Sequence, residues 1–216
     1  MRKLSIYLLI ILIFSGCSFD TPPNDWQYKS ANAFDSYTKN FLRSNDKMAK
    51  NDLQRAIAHT KNSADLNHLA RIYLGECALN ISVGLDDKCQ KYNEIKDVVN
   101  SNTLDAYYSF LRTNITKKEI DKLPKIYQDF AWHVQTKDYK KANTDIISMD
   151  RATSQLLAAS LLKNNITKNS INKVIETASF HGYKKAVIFW LERLKAVTID
   201  EEERKKINKK ISIIKN

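Results

Sequence analysis

The chain has 216 residues, a formal net charge of +11, and only four glycines and three prolines. So few turn-forming residues exclude a sandwich or barrel, which needs many tight turns. The length is ample for one hydrophobic core. Arg2 and Lys3 open the chain, Ile6 to Phe14 run apolar without a break, and Ser15, Gly16 and Cys17 follow. This is the charged, apolar, small-residue layout of a secretory signal peptide. The apolar run falls short of the roughly 20 residues that a permanent transmembrane helix needs.

Phe14-Ser15-Gly16-Cys17 resembles the lipobox of bacterial lipoproteins, with Phe14 where that family most often has Leu. The resemblance implies cleavage before Cys17, acylation of that cysteine with chains such as palmitate, and membrane attachment. Each buried methylene contributes about 0.8 kcal/mol, so two or three chains anchor a soluble domain. Ser18 to Asn24 reads as a tether, stiffened by Pro22-Pro23. In enterobacterial lipoproteins an Asp after the cysteine favours the inner membrane. Ser18 stands there instead, so the resemblance implies the outer membrane, facing the periplasm.

Helices fill the rest. Trp26 to Leu42 carries Ala33, Phe34, Tyr37 and Phe41 on one stripe. Asp46 to Lys61 turns Met48, Ala49, Leu53, Ala56 and Ile57 inward. Ser63 is placed to cap a third helix, with Leu66, Leu69, Ala70, Tyr73, Leu74 and Ala78 on its apolar face. A turn at Gly84-Leu85-Asp86-Asp87 leads to a shorter helix, Lys88 to Val99. Thr103 caps the next, which carries Leu104, Tyr107, Tyr108 and Leu111. Thr116 and Glu119 form a capping box, and Pro124 should kink or interrupt the helix that follows. Tyr139 to Ser148, Arg151 to Leu162, Thr167 to Phe180 and Tyr183 to Val197 are helices. Thr198 and Glu201 read as a second capping box for a last helix ending at Ile214.

Two segments recur. Asp138-Tyr139-Lys140-Lys141-Ala142 returns 44 residues later as Gly182-Tyr183-Lys184-Lys185-Ala186, and Asn51 to Ile57 has the same outline. Each places an aromatic or leucine three residues before an alanine near a helix start. The alanine is small because a neighbouring helix must approach closely there. Tyr183, Ala186 and Trp190 resemble the second helix of a tetratricopeptide repeat. Tyr139 and Ala142, and Leu53 and Ala56, match it more weakly, while Leu66, Leu69, Ala70 and Tyr73 resemble the first helix. The 44-residue spacing exceeds that family's usual period of about 34 and is nearer to that of Sel1-like repeats. The resemblance implies an all-α array of antiparallel helix pairs, a tetratricopeptide-like superhelix whose concave face takes peptides or partner proteins.

Cys77 and Cys89 lie twelve apart across the Gly84 turn. An even pair in an exported domain reads as a disulfide, stapling one helix end to the next helix start. Two buried thiols or half of a metal site are the alternatives. A bridge also favours a Gram-negative periplasm.

The sequence carries no Gly-rich phosphate loop and no nucleophile elbow. His59, His68, His133 and His181 include no H-x-x-x-H pair. His133 reads as a core-edge residue, His181 as a helix-end residue, and Asp86-Asp87 as a turn rather than a calcium loop. Trp26, Trp132, Trp190, Tyr107 and Tyr108 read as core. Glu201-Glu202-Glu203 suits the first turn of a helix, where the dipole favours negative charge. Arg204 to Lys215 is a basic amphipathic helix, read as a terminal cap with Ile207, Ile211 and Ile214 docked. Cleavage of the leader removes Arg2 and Lys3 and leaves +9. Export argues against nucleic acid as the partner of this charge, and the dispersed lysines solvate helix faces.

The sequence therefore reads as a leader (1–16), a lipidated tether (17–25) and an all-helical domain (26–216). It requires no cofactor or metal. The leading expectation is a non-catalytic adaptor or assembly factor, bound to the membrane by its lipid and to an envelope protein by its groove. A structural lipoprotein holding anionic cell-wall polymer is the second reading, and a wall hydrolase, whose paired carboxylates meet only in space, the third.

Overall fold

A computed structural model describes residues 24–216; the leader, Cys17 and most of the tether lie outside the described residues. The domain is all-α, and no strand occurs among the described residues. In chain order the helices are α1 (Asp25–Leu42), α2 (Asp46–Lys61), α3 (Leu66–Ser82), α4 (Gln90–Asn93), α5 (Lys96–Val99), α6 (Asn102–Leu111), α7 (Lys125–Gln135), α8 (Tyr139–Ser148), α9 (Ala152–Leu161), α10 (Lys168–Phe180), α11 (Lys184–Val197) and α12 (Glu201–Lys215). Short 3₁₀ turns at Lys117–Lys122 and Lys163–Asn165 join some of them.

Neighbours in sequence pack as pairs: α1 on α2, α7 on α8, α10 on α11 and α11 on α12. The array curls far enough that α3 packs on α9 and α1 touches α11. Helices α3 and α9 are accordingly apolar around most of their circumference, as central helices must be. Leu69, Ala70, Ile72, Leu74, Cys77, Ala78 and Leu79 of α3 are buried, as are all of Ser154 to Ala159 of α9. The Ser160 hydroxyl, at the end of α9, donates to the Ser82 carbonyl at the end of α3, 3.2 Å away.

The recurring alanines do what their size suggested. Ala56, Ala142 and Ala186 are each 0 % exposed. Tyr139 and Tyr183 sit at helix starts, as the repeat requires, but Leu53 lies two turns into α2. The first copy of the motif is thus out of register with the other two. Asn143, beside Ala142, locks the array: its amide donates to the Tyr139 and Asn165 carbonyls at 2.7 and 3.0 Å, and its oxygen accepts from Thr167 N–H and the Ser170 hydroxyl.

Several local expectations are corrected. Asp65, not Ser63, caps α3, accepting from the His68 N–H at 3.0 Å. Ser101, not Thr103, caps α6, and Asp200, not Thr198, caps α12. In each case the residue directly before the first helical turn takes the cap, and the Thr198 hydroxyl instead donates to the Leu194 carbonyl. Lys88 to Val99 is not one helix but the short helices α4 and α5: Cys89, with a left-handed backbone (φ 53°), delays the start to Gln90, and Glu94 and Ile95 form a turn between the two. The Thr116–Glu119 box forms but heads the 3₁₀ turn, and Pro124 starts α7 as its cap rather than kinking it.

Met48 points to solvent, 58 % exposed. Trp132 is 46 % exposed, because Tyr127, Phe130 and Ala131 form the buried stripe of α7; Lys117 stands over its ring instead. Trp190, at 1 %, is core.

Candidate functional site

Cys77 and Cys89 form a disulfide with Cα atoms 5.2 Å apart, tying α3 to the left-handed turn that starts α4. Asp87 lies within 4.8 Å of both sulfurs, the one such cluster among the described residues. The bridge takes the sulfurs, and the Asp87 carboxylate accepts from the Asn80 amide and the Cys89 N–H, each at 2.7 Å. The metal alternative therefore has no free donor set here.

The curl of the array leaves a long groove. Its main chamber, about 920 Å³, runs between α1, α3, the start of α9 and the α10–α11 turn. Phe34, Thr38 and Thr153 are shared with a smaller hollow of about 150 Å³. Gly75 and Tyr107 are shared in turn with a third chamber of about 420 Å³, which reaches Leu104 and Pro124. The lining is chiefly apolar and aromatic: Tyr28, Phe34, Ile72, Tyr107, Tyr127 and Tyr183 contribute. It is a surface for side chains of a ligand rather than for a charged cofactor.

Gly75 makes the groove possible. A Cβ there would collide with the ring of Phe34, which lies directly on it. Burial pushes the hydroxyls of Tyr107 and Tyr127 above the ordinary tyrosine range. They stay neutral and serve as hydrogen-bonding groups rather than acids.

At the rim, Lys39 pairs with Asp35 at 2.6 Å and His68 with Asp65 at 2.9 Å. Arg71 and Arg151 also line the main chamber, both exposed, and neither has a carboxylate within ion-pair distance among the described residues. Asp150 is the other carboxylate there. His181 ends α10 and stacks on Tyr183 at the mouth. His133 Nδ1 donates to the Asp145 carboxylate at 2.6 Å across the α7–α8 junction and lines no part of the groove.

A second cavity, about 510 Å³, lies at the other ends of α3 and α9, lined by residues from Ile81 to Lys88, Leu111 to Thr113, Ala159 to Asn164 and by Phe189, Trp190 and Arg193. Along α3, Ile72 of the main chamber and Ile81 of this cavity are about 14 Å apart at 1.5 Å per residue.

Sequence reasoning expected a concave face but named no groove residue. The walls come from helices far apart in the chain, and no local pattern marks the α3–α9 approach. Gly75, the one glycine inside a helix among the described residues, was the available signal.

On this geometry the molecule belongs to the class of all-α helix-pair arrays. Compared with protein families, with characterised proteins and with solved structures, the chain matches none. No helix among the described residues is long and apolar enough to cross a membrane.

Proposed function

We propose that this protein is an envelope lipoprotein, anchored through Cys17 and facing the periplasm. It acts without catalysis, as an adaptor or assembly factor that holds a segment of a partner protein in the α1–α3–α9 groove. The observation that carries the reading is the groove itself: three adjoining chambers, apolar along the floor and charged at the rim. That form suits an extended segment with apolar side chains better than a compact metabolite.

The disulfide supports export to an oxidising compartment, where such bridges persist. Helix α1 begins at Asp25, eight positions after Cys17, so an anchored chain carries its groove close to the membrane.

Site-specific photo-crosslinking in the producing cell tests this. A photoreactive residue at Ala31, exposed in the groove wall, should capture one protein in high yield, whereas the same residue at Lys206 on the outer face of α12 should not. Equal capture from both positions, or wall fragments alone, would overturn the reading. Cys17→Ala should release the protein from membranes, and retention would remove the anchor.

A further inference from the structure

The cavity of about 510 Å³ is built where α3, α6 and α9 end together. Gly84, Thr113 and Lys163, all with positive φ, turn the chain at those ends. Two of the ends close on themselves: Leu85 N–H donates to the Asn80 carbonyl and Asn114 N–H to the Ser109 carbonyl, both at 3.0 Å. The cavity wall is apolar, formed by Leu85, Leu111, Leu161 and the rings of Phe189 and Trp190. The Phe189 ring lies over Gly84, where any Cβ would strike it.

Four cations face this space: Lys88, Arg112, Lys163 and Arg193. Its carboxylates are Asp86 and Asp87. Asp86 pairs with Lys88 at 2.5 Å, and the Asp87 carboxylate is taken by Asn80 and Cys89. Arg112, Lys163 and Arg193 form no ion pair among the described residues. Each makes a single hydrogen bond to a neutral oxygen. Arg193 donates to the Lys163 carbonyl at 2.8 Å, Arg112 to the Asp87 carbonyl at 3.4 Å, and Lys163 to the Thr113 hydroxyl at 3.5 Å.

Arg112 and Arg193 are half-buried residues and Lys163 is exposed. The helix ends temper three like charges with about half a negative charge apiece, yet their carbonyls engage only a few of the available N–H donors. A multi-oxygen anion placed between the three cations would satisfy the remainder.

We propose that this cavity binds a small molecule carrying a phosphate or carboxylate on an apolar body, a site distinct from the groove. The oxyanion sits between Arg112, Lys163 and Arg193. The body lies against Leu85, Phe189 and Trp190.

The test is titration of the full-length, oxidised chain in neutral detergent with phenyl phosphate, benzoate and phenol, followed by the indole N–H resonance of Trp190. Trp26→Phe and Trp132→Phe identify that resonance. Phenyl phosphate or benzoate should shift it saturably, the stronger of the two telling phosphate from carboxylate, and phenol should not. Arg112→Gln, Lys163→Gln and Arg193→Gln should each weaken binding about tenfold, as loss of a charge-assisted hydrogen bond does, while Lys206→Gln leaves it unchanged. No saturable shift with either anion on the natural chain, or an equal shift with phenol, would overturn the site and leave the three cations as helix caps alone.

Discussion

The ring of Phe34 in α1 rests on the backbone of Gly75 in α3, filling the space a side chain would take. That contact sets both how closely the two helices approach and how far Phe34 stands out of the groove. Gly75→Ala restores helix propensity worth up to about 1 kcal/mol but pushes the ring outward, since its far edge is what the new methyl meets. The expected outcome is a thermal midpoint within a few degrees of the natural one, with crosslinking from Ala31 strongly reduced. Calorimetry and the crosslinking yield, measured together, check it.

Reduction of the Cys77–Cys89 bridge should destabilise the domain by about 3 kcal/mol, the chain-entropy value for a short closed loop. Both cysteines are buried, at 1 % and 2 % exposure, so the paired variant Cys77→Ala/Cys89→Ala should lose at least as much. Urea unfolding with and without reductant measures this. Unchanged midpoints, or full thiol labelling of the oxidised protein, would show that the bridge does not form.

The chain spends left-handed backbone on residues other than glycine. Ser44, Ala64, Thr113, Lys137 and Lys163 all have positive φ, each just after a helix. Lys137 is exposed, and the turn around it closes through Asp138 N–H to the His133 carbonyl at 2.8 Å. Glycine adopts that conformation without the side-chain penalty. Lys137→Gly should therefore stabilise the protein by about 0.5–1 kcal/mol, read as a higher urea midpoint with an unchanged slope.

Asp65 provides a pH signature. Its carboxylate accepts from the His68 N–H at the start of α3, and that backbone hydrogen bond, aided by the His68 side chain, holds it below the usual carboxylate range. A carboxylate depressed in the folded state stabilises above its unfolded pKa and loses that contribution as pH falls through the folded one. The window opens below about pH 4. Asp65→Asn keeps a capping oxygen without the charge, so the natural protein should exceed it in thermal midpoint at pH 6 by more than at about pH 3.

Much of this fold was legible because its helices announce themselves locally. Asp46–Lys61 and Tyr139–Ser148 coincide with their apolar periodicity to the residue. Ala142 and Ala186 were recognisable as close-approach points from a short repeated pattern, and both are fully buried. What failed were competitions between similar groups. Ser63 and Asp65, or Thr198 and Asp200, both offer oxygens at a helix start, and only the final chain path decides between them. Met48 and Trp132 were assigned by hydrophobicity when the phase of their helices turns them outward.

The two cavities were illegible for a different reason. Arg112, Lys163 and Arg193 reach the second cavity from the ends of α6 and α9 and from α11, and Arg71 and Arg151 meet at the groove because α3 packs on α9. That pairing spans some eighty positions, and no local spacing encodes it. The cysteine pair was an exception, since the turn between its members is short enough to read.

If the groove is the partner-binding surface, filling it should abolish capture of the partner. Ala31→Trp fills the main chamber from an exposed position, and Lys206→Trp places the same bulk at an exposed position of α12 that lines none of the three chambers. The measurement is the amount of partner that co-purifies with each chain after crosslinking in the cell, at matched expression and matched thermal midpoint. Near-equal amounts of one protein are expected with the natural chain and with Lys206→Trp, and its loss with Ala31→Trp. Undiminished recovery with Ala31→Trp would contradict that role of the groove and move the binding surface elsewhere.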